Sequence, residues 1–347
     1  METVYTPAHA LHAPAREFLD GQLIPYFESP SRAEIIRAAV EAAGLGAIVP
    51  PHDFGLDPIL AVHDAGYIDY LQTVYAAWLA DGRDPGGVYP DTFLTRHFAR
   101  RARPPAKPGA RAGFYNFDLS AVVVEGTWAA AYASAQVGLT AAAKVAAGAR
   151  SAFGLCRPPG HHAHADMSGG YCFLNNVAIA AEWLRRKGGA GRVAILDIDF
   201  HHGNGTQHLF YAREDVLFVS LHADPDRQYP YFMGYADETG TGRGLGFTRN
   251  YPLPLGCDEA QYLAALDAAC ATIGAYRPEA LLVSLGVDTF AGDPLGDFAL
   301  PSQAYGRIGA RLAELGAPTV FIMEGGYAIR ELGENVTSLL RGFEMPA

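Results

Sequence analysis

Short runs of hydrophobic residues recur along the chain from residue 152 onward, without the polar alternation of half-exposed strands. They occupy 152–156, 192–199, 216–222, 280–288 and 319–326. Such runs, rich in Val, Ile and Leu, are typical of parallel strands covered on both faces. The segments between them have helical patterns, at 127–148, 175–187, 259–275 and 302–315. The alternation predicts an α/β fold with a central, mostly parallel β-sheet flanked by helices on both faces.

The segment 82–118 breaks this pattern, because it is rich in Pro and Gly. It contains a basic cluster made of Arg96, Arg100, Arg101, Arg103, Lys107 and Arg111. A long loop within a domain is usually functional or an interaction element. A linker between two domains is the alternative, but residues 1–81 look too short and too helical for a separate core. We therefore predict a single domain over 1–347 with an insertion at about 82–118.

Composition narrows the class of protein. The chain of 347 residues is 50% hydrophobic and has a formal net charge of −11, which argues against nucleic acid as the main partner. The N-terminus lacks the basic and apolar stretches of a signal peptide. No run of about 18 apolar residues suggests a membrane span. We expect a cytoplasmic protein that has no membrane partner.

The strongest chemical signal is DIDFHHGNG at 197–205, at the end of an apolar run. Asp199 and His201 are two residues apart, so on an extended chain both side chains face the same way, as does that of Asp197. A carboxylate and an imidazole on one face are good zinc ligands. An isolated pair of this kind is more often a set of capping and turn residues.

Three further motifs also follow buried runs. His161 and His162 lie after a PPG turn, Asp288 ends the run at 280–288, and Tyr327 follows a glycine pair. Each is ordinary alone. Together they make up a hydrolase: two histidines for general base and acid, and a tyrosine hydroxyl for a developing oxyanion.

Asp199, His201 and Asp288 offer three metal ligands and leave one coordination position open, as in catalytic rather than structural zinc sites. Asp197 and Asn204 are positioned in the sequence to orient the two histidines and set their basicity. Sites with this donor set also accept Fe²⁺ or Co²⁺.

The motifs RPPGHHA, DIDFHHGNGTQ, SLGVDTF and EGGY resemble, in order and approximate spacing, those of the histone deacetylase superfamily. FESPSRAE, VHDAGY, GGYCFLNN and GYADETG look like the acetylpolyamine amidohydrolase branch. The resemblance covers nearly the whole chain. It implies the arginase–deacetylase fold and a zinc-dependent amidohydrolase that removes acetyl groups from amines.

The resemblance also implies roles for individual residues. One zinc is held by Asp199, His201 and Asp288, with His162 as the base that activates water. His161 helps to balance charge, either histidine protonates the leaving amine, and Tyr327 stabilises the oxyanion. A structural potassium ion is expected near Asp197, Asp199, His201, Ser220 and Leu221.

Arginase-like enzymes share this architecture but bridge two manganese ions through extra aspartates. Gly203 and Phe290 stand at the corresponding positions of this chain. Neither side chain binds a metal, so the sequence favours a single-metal site.

The family resemblance also addresses the substrate. Gly170, Tyr171 and Tyr229 are expected to line the acyl pocket and tunnel. The insertion at 82–118 resembles the element that in acetylpolyamine amidohydrolases builds a homodimer and narrows the entrance. This favours slender substrates: acetylputrescine, acetylcadaverine or acetylspermidine.

One departure affects that expectation. Polyamine-selective members carry acidic residues on and just after the insertion, whereas this insertion is basic and Ser120 occupies one acidic position. Asp118 and Glu17 are candidates to replace them in the tunnel. An acetyl-lysine peptide deacetylase with an open entrance remains an alternative, and a non-catalytic binding protein a remote one.

Overall fold

Eight parallel strands form the main sheet of the computed structural model, which describes residues 1–97 and 102–345. In chain order the strands are β1 (Glu2–Val4), β2 (Arg16–Leu19), β3 (Gln22–Pro25), β4 (Ile48–Val49), β5 (Ser151–Gly154), β6 (Val193–Asp197), β7 (Val216–Ala223), β8 (Thr248–Leu253), β9 (Ala280–Leu285) and β10 (Thr319–Met323). The order across the sheet is β4-β1-β5-β10-β9-β6-β7-β8, and β2 and β3 form a separate antiparallel hairpin.

Helices connect most of these strands. Those of the described ranges are α1 (Ser31–Ala43), α2 (Asp57–Leu60), α3 (Ala65–Ala80), α4 (Pro108–Tyr115), α5 (Thr127–Ala146), α6 (Asn176–Arg186), α7 (Asn204–Phe210), α8 (Glu259–Tyr276), α9 (Ser302–Glu314) and α10 (Leu332–Glu344). Over 1–97 and 102–345, no helix combines the length and the apolar composition needed to cross a membrane.

The two faces of the sheet are covered by different helices. In β6, Ala194 and Leu196 face a core built with α1, α8, α9 and α10, whereas Val193 and Ile195 face a core built with α5 and α6. This alternation follows from the two-residue repeat of a strand. It explains why the strand sequences are continuously apolar, and it confirms the predicted α/β class.

All five predicted strands and all four predicted helices are present. The runs 192–199, 280–288 and 319–326 extend beyond β6, β9 and β10, because their last residues leave the ladder and turn into the site described below. The short β1 and β4 were not predicted, since two or three residues carry no periodic signal.

The segment 82–118 is not entirely a loop. It contains α4, which begins with Pro108 at a first-turn position where a missing N–H costs little. In the basic cluster, Arg111 pairs with Asp69 on α3 at 2.5 Å. Exposed members are Arg96, Arg103 and Lys107, whereas Arg100 and Arg101 lie outside the described residues. A role of the insertion in dimerisation or capping stays a prediction.

Candidate active site

Four adjacent strands, β5, β10, β9 and β6, end at one edge of the sheet. Because they are parallel, the residues that follow them meet at the same edge, where ligands bind in open α/β sheets. These residues are His161 and His162 after β5, Asp199 and His201 after β6, Asp288 after β9 and Tyr327 after β10. The structure therefore brings the four sequence motifs together.

Asp199, His201 and Asp288 form a compact ligand set. Their ligand atoms lie within 4.8 Å of one another. His201 Nδ1 is 3.2 Å from Asp199 Oδ1 and 3.2 Å from Asp288 Oδ2. The other carboxylate oxygens are held by the backbone: Gly325 N–H donates to Asp199 Oδ2 and Phe200 N–H to Asp288 Oδ1, each at 2.8 Å. The carboxylates are thus fixed in place before any ion binds.

Two glycines make room for these carboxylates. A Cβ on Gly286 would lie 2.1 Å from Asp199 Oδ2, and one on Gly325 would lie 2.3 Å from Asp288 Oδ2. Any side chain at either position would displace a carboxylate. One imidazole nitrogen and two carboxylates in such a cradle fit a zinc ion.

The charges of the metal-free site also favour a cation. Burial and the nearby charge of Asp199 raise the pKa of Asp288 to about 7. Burial lowers the pKa of His201, but hydrogen bonds to Asp199 and Asp288 outweigh it and raise that pKa to about 10. The two buried carboxyl groups thus raise the pKa of the imidazole beside them, which shows that their charges favour a cation at this point.

The paired histidines have different partners. His161 Nδ1 lies 3.0 Å from Asp197 Oδ2, and His162 Nδ1 lies 2.7 Å from Asn204 Oδ1. Burial lowers the pKa of His161, but the charges of Asp199 and Asp197 raise it to about 10. Burial and the charge of His161 hold the pKa of His162 well below its ordinary value. The pKa values of the two rings, whose centroids are 4.0 Å apart, are thus shifted in opposite directions. Such divergence is how adjacent groups take acid and base roles.

Tyr327 is fixed by contacts that the sequence did not reveal. Asp293 accepts from Tyr327 N–H at 2.6 Å and from Ala328 N–H at 2.9 Å. The guanidinium of Arg32 lies 4.7 Å from the Tyr327 ring centroid and donates to Gly326 O at 2.6 Å. Arg32 lies in the FESPSRAE motif and Asp293 lies three residues after SLGVDTF, but nothing local in the sequence connects them to Tyr327.

Glu324, the first residue of the EGGY motif, was given no role from the sequence. Its Oε2 accepts from Gly160 N–H at 2.7 Å and from His161 N–H at 3.2 Å, which ties the end of β10 to the histidine turn. Burial raises its pKa to about 7. The sequence offered one signal of this role, since Glu324 is a carboxylate residue between an apolar strand and two glycines.

The predicted tunnel residues lie around His162. Gly170 and Tyr171 both have left-handed backbone conformations, with φ of 52° and 66°. A Cβ on Gly170 would lie 2.2 Å from His162 Cδ2, so only glycine fits there. The Tyr229 ring lies 5.0 Å from the His162 ring, centroid to centroid. Asp118 contacts both walls, because its Oδ2 accepts from Gly170 N–H and the Tyr229 hydroxyl.

Glu17 has different surroundings. It lies on β2 and is buried, and its Oε1 accepts from Phe27 N–H at 2.8 Å. Its Oε2 has no hydrogen-bond partner in the described part of the chain. Burial raises the pKa of Glu17, while the neighbouring Tyr171 hydroxyl lowers it.

The residues expected around potassium lie on adjacent strands. Asp197 on β6 is in register with Ser220 on β7, Leu221 follows, and all three are fully buried. Gly203, one of the positions where a second metal ligand would be needed, is packed so that a Cβ would lie 2.2 Å from Asp197 Oδ2. A longer side chain does not fit there.

Comparison with known proteins extends this picture. A family model described as the histone deacetylase domain matches residues 26–343. The chain is 52% identical over 344 residues to acetylpolyamine amidohydrolase 1 of Pseudomonas aeruginosa, with 99% of each chain covered. It is 45% identical over 342 residues to the acetylpolyamine amidohydrolase of Mycoplana ramosa, again with 99% of each covered.

A solved structure is similar along its whole length. The crystal structure of an acetylpolyamine aminohydrolase from Burkholderia pseudomallei superimposes with a TM-score of 0.93 at 43% identity, covering 99% of this chain and 98% of that one. The structural similarity thus extends over nearly the whole chain.

Proposed function

The chain belongs to the histone deacetylase family, and from that premise we propose that it removes the acetyl group from small acetylated amines, above all acetylpolyamines. Family membership confirms the resemblance found in the sequence, and the arginase–deacetylase fold with it. Relatives that match over the full length are named amidohydrolases, so the protein is an enzyme that acts on amides.

The family is metal-dependent, and Asp199, His201 and Asp288 are the residues that would hold the ion. Zinc is the ion we propose, with Fe²⁺ or Co²⁺ as the alternatives for this donor set. When bound, it supplies Lewis-acid polarisation of the amide carbonyl and activation of water. The convergence of these three residues with two histidines that have different hydrogen-bond partners and with a tyrosine carries the proposal.

We assign His162 as the general base. Its Nδ1–H donates to Asn204 Oδ1, which leaves the lone pair of Nε2 free to take a proton from water. His161, whose pKa the charges of Asp199 and Asp197 raise, would offset negative charge and is the other candidate to protonate the leaving amine. The Tyr327 hydroxyl donates a hydrogen bond to the carbonyl oxygen as it becomes negative.

Two structural features accompany this proposal. A potassium ion near Asp197, Ser220 and Leu221 would stabilise the buried turn that carries His201. Dimerisation through the insertion at 82–118 would narrow the entrance and exclude folded proteins.

The substrate class rests on the names of the relatives and on the tunnel. A narrow aromatic tunnel lined by Tyr171 and Tyr229 suits an alkyl chain. Glu17, buried next to Tyr171 with one unpartnered oxygen, would attract the distal ammonium group of an acetylated diamine. Short diamines fit better than long polyamines, because the acidic residue expected after the insertion is replaced by Ser120.

The test is a comparison of kcat/KM for acetylputrescine, acetylcadaverine, acetylspermidine and an acetyl-lysine peptide on metal-loaded protein. We expect the acetylated diamines to exceed the peptide by about tenfold or more, or about 1.4 kcal/mol of transition-state binding. A faster peptide reaction would replace the substrate proposal with the lysine deacetylase alternative. Sedimentation of the same sample tests the dimer.

A further inference from the structure

One carboxylate joins the two walls of the tunnel. Asp118 Oδ2 accepts from Gly170 N–H at 2.8 Å and from the Tyr229 hydroxyl at 2.7 Å. Ser120 adds its backbone N–H to Oδ1 at 3.0 Å and its hydroxyl to Oδ2 at 2.9 Å. Residues 118, 170 and 229 come from three distant parts of the chain, so the Asp118 carboxylate links segments that are far apart in sequence. Hydrogen bonds to an ionised acceptor are about twice as strong as neutral ones.

Both tied residues contact the catalytic groups. Gly170 has so little space that a Cβ would lie 2.2 Å from His162 Cδ2. The Tyr229 ring centroid is 5.0 Å from that of His162 and 6.0 Å from that of His201. A shift of Gly170 or Tyr229 would therefore displace His162, the proposed base. It would also change the position of the acetyl group relative to His162.

The hydrogen bonds leave Asp118 little capacity for a further partner. Oδ2 already accepts three donors and Oδ1 one, whereas a carboxylate has about four acceptor sites in all. A substrate ammonium group would find Oδ2, the oxygen that holds Gly170 and Tyr229, already fully occupied. Glu17, whose Oε2 makes no close hydrogen bond within the described residues and has the Tyr171 hydroxyl beside it, faces less competition.

We propose that Asp118 is a positioning residue, which holds Gly170 and Tyr229 against His162, and that it does not bind the distal ammonium group. The inference rests on the proposed amide hydrolysis. It assigns different roles to Asp118 and Glu17, which from the sequence alone were equivalent candidates for binding the ammonium group.

Two substrates that differ in charge distinguish positioning from ammonium binding. Acetylputrescine carries a distal ammonium group, and N-pentylacetamide has a methyl group in its place. For Asp118→Asn we expect kcat to fall about 10- to 100-fold on both substrates by the same factor, since misplacement of reacting groups costs rate whatever the substrate charge. KM should change little. A selective rise of KM for acetylputrescine, with N-pentylacetamide unaffected, would overturn the proposal.

Tyr229→Phe is the second variant, because it removes one donor and keeps the ring. It should lower kcat on both substrates equally but less than Asp118→Asn, and the double variant should lose less than the product of the two effects, since both remove the same hydrogen bond. If the two effects on kcat instead multiplied, Asp118 and Tyr229 would act independently, which would contradict the proposed hydrogen-bonded link between them.

Asp53→Asn is the matched control. Asp53 Oδ1 also accepts from a tyrosine hydroxyl, that of Tyr132, and from a backbone N–H, that of Gly55, but it lies in a surface loop. Its replacement should leave the kinetics of both substrates unchanged.

A readout without turnover separates this inference from the proposed function. Hydrogen–deuterium exchange of a peptide spanning 166–173 should be faster in Asp118→Asn than in the wild type, because the Gly170 amide loses its charged acceptor and the hydrogen bond to the neutral amide oxygen is weaker. An exchange rate equal to that of the wild type would show that Asp118 does not hold Gly170 in place, whether or not either substrate is hydrolysed. Wild-type protein inactive on both substrates, with the exchange faster as expected, would contradict only the proposed function.

Discussion

The pKa values of Asp288 and His201 predict that the affinity of the proposed zinc site depends strongly on pH. Burial and the charge of Asp199 raise the pKa of Asp288 to about 7. Hydrogen bonds to Asp199 and Asp288 exceed the opposing effect of burial and raise the pKa of His201 to about 10. Zinc binds the deprotonated forms, so protons compete with it below each pKa, and affinity must rise with pH.

The magnitude follows from these two values. Between about pH 6 and about pH 8, the deprotonated fraction of His201 rises about 100-fold and that of Asp288 about tenfold. Because the two groups contact each other and titrate as a pair, apparent affinity should rise by at least about 100-fold, the factor that His201 alone gives. A histidine and an aspartate with ordinary pKa values would give only about fourfold. The slope should decrease above about pH 7, where only His201 still binds a proton.

Competition with a fluorescent zinc chelator measures this dependence, once the protonation of the chelator is subtracted. Asp199→Asn sets the background, since it removes a ligand and should abolish the tight site. A rise of less than about tenfold over the same range would refute the inference that the two carboxylates hold His201 as a cation.

Two other substitutions test the proposed roles. Tyr327→Phe should lower kcat about 100- to 1,000-fold, because one oxyanion donor is lost while the ring and its contact with Arg32 remain; the thermal midpoint should not change. Its control, Tyr67→Phe, removes the buried hydrogen bond to Phe173 O, and should cost about 1 kcal/mol in chemical denaturation but leave kcat intact. Glu17→Gln should reduce kcat/KM for acetylputrescine more than for N-pentylacetamide, because only the former carries an ammonium group; equal losses would exclude Glu17 as its partner.

The parts of the fold predicted from the sequence are those with strong local signals. β6, β7, β9 and β10 are continuous apolar runs because both of their faces are buried. The proposed ligands Asp199, His201 and Asp288 were identified because polar residues that end such runs must collect at one edge of a parallel sheet. β1 and β4 were missed because their pairing depends on β5 being in place.

The supporting residues of the site could not be predicted in the same way. Arg32 in α1 has the sequence context of a helix surface charge, yet it is buried and donates to Gly326 O and Glu324 O at the other end of the chain. Its charge is offset by Glu28 at 2.9 Å, which also accepts from Arg157 at 2.8 Å. These contacts exist only when three distant segments have docked.

The same reasoning decides between Asp118 and Glu17. By charge alone, each is a suitable partner for an ammonium group, and the sequence offers no basis for choosing. The choice depends on how many donors each carboxylate already accepts, and those donors come from residues far away in the chain. Asp118 accepts four, two of them from Gly170 and Tyr229, whereas Glu17 accepts one backbone N–H and has the Tyr171 hydroxyl nearby, and its Oε2 makes no close hydrogen bond within the described residues. A buried acceptor left unpaired costs free energy, and a ligand that supplies the missing donor recovers it. Glu17 is therefore the carboxylate that a cationic substrate would stabilise. Asp118, which already accepts four hydrogen bonds, acts instead by holding Gly170 and Tyr229 in place.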